Sequence, residues 1–215
     1  MNIGIVCYPT YGGSGVVATE LGKELANRGH EVHFITYAQP VRLGSLRKNI
    51  FYHEVSVSDY PLFEYPPYEL VLASKMVDVA LYENIDVFHV HYAIPHASAA
   101  IMARDILEKK GRYIPIVTTL HGTDITLVGK DKSFEPVISH AINRSDAVTS
   151  VSESLKRDTY TYFGTRKDIE VIPNFVCLDN LKSKKPELEE IREVYAKNNE
   201  RLLIHISNFR PVKRV

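Results

Sequence analysis

The chain has 215 residues, 45% of them apolar and 24% charged, with a formal net charge of zero. That length exceeds one small domain and falls short of two full α/β domains. With no basic excess there is little counterion-release drive toward nucleic acid, so no nucleic-acid partner is expected.

The two cysteines, Cys7 and Cys177, show no metal-type spacing and are too few for a disulfide framework. This usage fits a reducing compartment, and a cytoplasmic location is expected. The chain opens directly on a strand-like run, so no signal peptide is expected. No apolar run nears the ~20 residues that a bilayer span needs, so no membrane partner is expected either.

The first predicted element is a strand, Asn2–Cys7. It runs into "CYPTYGGSGVVATELGKEL", residues 7–25. Val16, Leu21 and Leu25 recur at helical spacing there, and Gly29 in "NRGH" suits the residue just past a helix end. Strands follow at Glu31–Thr36 and Ile50–Val55, then a helix at Tyr68–Glu83. A strand at Asp86–His91 leads to a helix at Pro95–Lys109. A strand at Pro115–Leu120 leads to a helix at Phe134–Ser145. The series closes with a strand at Ala147–Val151, a helix at Ser152–Phe163 and a strand at Glu170–Ile172. Alternating strands and helices predict an α/β fold, a mostly parallel sheet with helices on both faces.

Residues 1–176 are read as one domain. Residues 177–200 are charged and read as a linker with a surface helix from Glu187. Residues 201–215 read as the first strand, Leu202–Ser207, of a second domain. On this reading the chain is the first half of a two-domain protein, cut just inside the second.

In such sheets ligands sit at the carboxyl ends of strands, so the segments just after strands hold the candidate residues. Gly13, Gly15 and Ala18 match G-x-G-x-x-G/A, but Tyr8-Pro9-Thr10-Tyr11-Gly12 stand between strand and glycines. The second strand ends "FITYA", without the acid that a dinucleotide ribose needs. What survives is an anion cradle: glycine backbone, free N–H groups at a helix start and the Ser14 hydroxyl. A plain strand-to-helix turn is the alternative. In "HVHYAIPHA", His89 and His91 share a strand face, and Tyr92 lies just past it. No carboxylate or cysteine completes a metal set with them, so they read as polar lining, and no metal is expected.

"TTLHGTD", residues 118–124, runs an apolar strand into His121, a candidate acid, base or hydrogen-bonding group. Thr123 and Asp124 could instead cap the next helix. Ser152 reads as a helix cap. Arg144 is a forked, permanent cation suited to a carboxylate, or to a surface ion pair. Asn174 in "VIPNF" lies beyond the last strand of the first domain.

Together "GGSGVVATELGKELANRGHEVHFIT", "HVHYAIPHA", "TTLHGTDIT", "VIPNF" and "SNFRPVKRV" resemble the retaining glycosyltransferases of family 4, which have the GT-B fold. The resemblance covers essentially the whole chain. It implies two Rossmann-like domains facing across a cleft, the first for acceptor and the second for donor. Within the family, the narrower match implies transfer of N-acetylglucosamine from UDP-N-acetylglucosamine (UDP-GlcNAc) to the hydroxyl of L-malate, the first step of bacillithiol synthesis. Ser14, Tyr92, Thr119, Arg144 and Asn174 would then meet malate. Gly13, Ser14, Gly15, Arg210 and Lys213 would meet the donor phosphates, and His121 would sit beside the donor sugar. The leaving phosphate would take the acceptor proton, so no enzymic base is implied. No cofactor or required metal is implied, and a homodimer is. Two alternatives stay open: another family 4 acceptor, such as inositol phosphate or a lipid, or a non-catalytic carboxylate-binding domain.

Overall fold

The computed structural model describes residues 1–44, 48–58, 61–176, 188–196, 198, 200–207 and 209. The chain divides into two units, Met1–Phe175 and Val176–Val215. The first holds seven strands: β1 (Asn2–Val6), β2 (Glu31–Thr36), β3 (Ile50–Glu54), β4 (Val87–His91), β5 (Ile116–Leu120), β6 (Ala147–Ser150) and β7 (Ile169–Val171). Among the described residues five α-helices connect them: α1 (Gly13–Asn27), α2 (Tyr68–Tyr82), α3 (Ser98–Glu108), α4 (Glu135–Arg144) and α5 (Glu153–Phe163). The second unit contains α6 (Leu188–Tyr195).

All seven strands lie in one sheet, in the order β3-β2-β1-β4-β5-β6-β7, with every pairing parallel. The chain builds outward from β1 to β3, then returns to the other side of β1 and builds outward again. The strand order therefore reverses between β1 and β4. A reversal of this kind opens a crevice at the carboxyl ends of the two strands.

Side chains alternate across the strands. Ile3 and Ile5 of β1 join Val32, Phe34 and Ala18 in the core under α1. Val6 points the other way, into the core that α2 and α3 build with Leu72, Met76, Phe88 and Ile101. Fully burying a side chain such as Phe34 contributes roughly 1.5–3 kcal/mol. A third core, with Leu120, Ile125, Ile138 and Phe163, lies around α4, α5 and the turn after β5. The Ser152 hydroxyl caps α5 by accepting from Leu155 N at 3.1 Å, as its sequence context predicts.

The expected strand at Leu202–Ser207 is corrected: these residues are not in a strand. A strand needs a neighbour to take its N–H and C=O groups, and no pairing is made there among the described residues. Arg210 and Lys213 lie outside the described residues. Among those described, no helix is long and apolar enough to cross a membrane.

Candidate functional site

Near the crevice between β1 and β4, three of the sequence-predicted residues, Ser14, Tyr92 and His121, come together. Ser14 stands in the first turn of α1, directly after the β1 loop. Tyr92 follows β4. The Tyr92 hydroxyl donates to Ser14 Oγ at 2.9 Å, joining the two loops across the reversal point. Tyr92 holds φ at 87°, in the left-handed region that a bulky side chain rarely occupies. Its N–H donates to the Thr119 carbonyl at 2.9 Å, which fixes that conformation to the end of β5. Strain of this kind is worth roughly 1–3 kcal/mol and gathers at functional positions.

The glycines divide into two roles. A Cβ at Gly13 would meet nothing within 4 Å, so its backbone faces open space. A Cβ at Gly15 would lie 2.3 Å from the Tyr8 carbonyl oxygen and 2.7 Å from that of Thr10. Gly15 therefore lets α1 press against the loop backbone. Gly12 precedes the helix without a side-chain cap, so the first-turn N–H groups have no capping side chain.

His121 follows β5. Its Nε2 lies 2.8 Å from His91 Nδ1, and its ring stacks at 5.1 Å from the His91 ring. His89 stacks on His91 at 4.7 Å, and its Nε2 lies 2.8 Å from Thr119 Oγ1. Thr119 also bonds Thr149 at 2.8 Å, so its hydroxyl belongs to this polar row. Burial pushes the pKa values of His89, His96 and His121 down to about 4. His91 is pushed further below the ordinary range, first by burial and then by its histidine neighbours. These imidazoles are neutral at pH 7 and act as hydrogen-bonding groups, not cations.

Asp124 does not cap a helix. It is 2% exposed, and its carboxylate accepts from Ala93 N at 2.9 Å, from Gly122 N at 3.0 Å and from His121 N at 3.4 Å. It thereby staples the loop after β4 to the loop after β5. Burial pushes its pKa up to about 6, against these backbone donors, which pull it down. Tyr8 and His96 also belong here, although neither stands out in the sequence. The Tyr8 ring meets Tyr92 edge-on at 5.3 Å and lies 4.6 Å from His96. His96 Nδ1 donates to the His91 carbonyl. The signal for Tyr8 was its place at the end of β1, inside a segment that reads as an insertion.

The structure does not bring Arg144 together with these residues. It ends α4, ahead of β6, so it lies at the amino edge of the sheet, opposite the crevice. There its guanidinium pairs with Asp105 at 2.6 Å, with both side chains exposed by more than 40%. Its carbonyl accepts from the buried Arg104, which also pairs with Asp146 at 2.8 Å. Arg144→Ala is expected to change unfolding free energy by under ~1 kcal/mol and to leave acceptor affinity unchanged. Urea denaturation and acceptor titration of the variant check both. Asn174 is exposed just past β7, on the carboxyl edge with the other candidates.

Residues 11–180 match the family model "Glycosyltransferase Family 4". Over its whole length the chain is 52% identical to N-acetyl-α-D-glucosaminyl L-malate synthase of Bacillus anthracis, and it spans 55% of that protein. A glycosyltransferase structure from Rickettsia africae superposes with a TM-score of 0.67 at 22% identity, covering 90% of this chain and 49% of that one. Anabaena HepE in complex with UDP-glucose superposes with a TM-score of 0.61 at 18% identity, covering 90% and 49%. The parallel sheet and its helices are thus the Rossmann-like half of GT-B enzymes, and the chain belongs to glycosyltransferase family 4.

Proposed function

We propose that this chain supplies the acceptor half of a retaining transferase that moves N-acetylglucosamine from UDP-GlcNAc to the hydroxyl of L-malate. The observation that carries the reading is the Ser14–Tyr92 hydrogen bond at the reversal point, beside the uncapped first turn of α1. Ser14 Oγ accepts from Tyr92, so the Ser14 hydrogen is left to donate. L-Malate offers two carboxylates to such donors and to the N–H groups of a helix start. The named activity of the 52% identical relative supports this acceptor.

In the reaction, the malate hydroxyl attacks the anomeric carbon from the face on which UDP departs, which retains configuration. The leaving phosphate oxygen takes the hydroxyl proton. His121, neutral at pH 7 and next to Tyr92 with ring centroids 5.2 Å apart, serves as a polar wall for the donor sugar. Gly13 and Ser14 face the diphosphate from this side. Arg210 and Lys213, which lie outside the described residues, would neutralise the departing diphosphate in place of a bridging cation. The full protein would act as a cytoplasmic homodimer.

The test is calorimetric titration of L-malate, with transfer assayed on the full-length protein. Ser14→Ala is expected to weaken L-malate binding by tenfold or more, because a hydrogen bond to a charged group is worth roughly 1.5–3 kcal/mol. Transfer to inositol phosphate with none to L-malate would overturn the acceptor assignment.

A further inference from the structure

A second cluster of chemistry-bearing side chains lies away from the crevice, on the sheet face covered by α2. In the parallel register His33 of β2 pairs Phe51, and Ile35 pairs His53 of β3. The two-residue strand period therefore puts His33 and His53 on one face. Glu83, the residue that closes α2, comes down on the same spot. Each of the three offers a ligand atom, and these atoms all lie within 4.8 Å of one another. Among the described residues no other group of three His, Cys, Asp or Glu side chains does so.

The geometry suits an ion. His33 Nδ1 and His53 Nε2 lie 3.0 Å apart. Two imidazole nitrogens on one tetrahedral zinc stand ~3.3 Å apart, given metal–nitrogen bonds of ~2.0–2.1 Å. The His33 ring is held in place: it is 1% exposed and stacks on Phe51 at 4.7 Å. Nδ1 is thus the His33 nitrogen turned toward His53, while Nε2 is buried without a hydrogen bond on the far side of the ring. Two imidazoles and one carboxylate are a donor set for a borderline divalent cation, with one position left to water. Lys75, on α2, is the one cation among the groups that perturb His53, and it opposes an ion there.

We propose that His33, His53 and Glu83 form a structural site for a divalent transition cation, zinc foremost. The ion would tie edge strand β3 and the end of α2 to β2. None of its ligands belongs to the loops after β1, β4 or β5, so this ion is not one that bridges a diphosphate. Because the site is assembled only in the folded chain, occupancy stabilises the fold.

The experiment uses the full chain, stripped with a chelator and titrated with Zn²⁺ against a chromophoric competitor. Cobalt absorption supplies a second readout of coordination. One equivalent is expected to bind, with a rise in melting temperature. His53→Gln and Glu83→Gln are each expected to weaken binding at least tenfold. Both positions are half-buried, and circular dichroism checks that the variants fold. Absence of Zn²⁺ binding to the wild-type chain overturns the proposal. So does unchanged affinity in either folded variant.

Discussion

Lowering the pH from 7 to 5 is expected to remove roughly 2 kcal/mol from the stability of this fold, a sizeable share of what a domain possesses. His96 is fully buried, and its pKa stands at about 4 against ~6.5 for an exposed imidazole. A depressed histidine pKa means that the unfolded chain binds the proton first as pH falls. Stability is thus lost from about pH 6.5 downward and levels off below pH 4. At pH 5 this amounts to roughly 2 kcal/mol for His96. The equally buried His91, its pKa also pushed down by burial and its histidine neighbours, acts in the same direction. The partly exposed His89 and His121 add to the loss by less. Asp124 works the other way. Its raised pKa lets the folded chain take up a proton first between about pH 6 and 4, which returns roughly 1 kcal/mol. The histidines outweigh it. Urea midpoints measured at the two pH values decide the matter, and a midpoint that holds or rises at pH 5 would refute the balance.

Asp124→Ala is the second large effect. The change leaves the buried N–H of Ala93 and the half-buried N–H of Gly122 without their acceptor. Each orphaned group costs roughly 1–3 kcal/mol, so a loss of roughly 3–5 kcal/mol is expected once the cavity is included. The loops carrying Tyr92 and His121 lose their common anchor at the same time. Asp124→Asn separates charge from geometry. An amide offers one acceptor oxygen where two are used, so one backbone donor would face an NH₂ group. Asn is therefore expected to rescue only part of the stability, read from thermal unfolding of the three proteins. Full rescue would show that one oxygen suffices.

The strands and helices of residues 1–176 were legible because their apolar periods are clean and their ends carry signals such as Ser152 and Gly29. Ser14, Tyr92 and His121 were legible one at a time, since each follows a strand. Their meeting was not, because Ser14 and Tyr92 are 78 positions apart and touch only when β4 returns beside β1. Arg144 was chosen for its chemistry alone, although a residue just ahead of a strand belongs to the amino edge. Asp124 was read as a local cap because its true partner, Ala93, is 31 positions away. The pairing of His33 with His53 across 20 positions needed the register of two parallel strands. Residue type and local spacing are written in the chain, whereas the neighbour across the sheet follows only from strand order.

Gly15 has a consequence for how tightly an anion can be held. Because Gly15 has no Cβ, the first turn of α1 packs directly against the carbonyls of Tyr8 and Thr10, and any side chain there would push helix and loop apart. That contact sets the distance between the end of β1 and the first N–H groups of α1 when the chain folds. Gly15→Ala would therefore move the N–H groups at the start of α1 away from where the sheet now holds them.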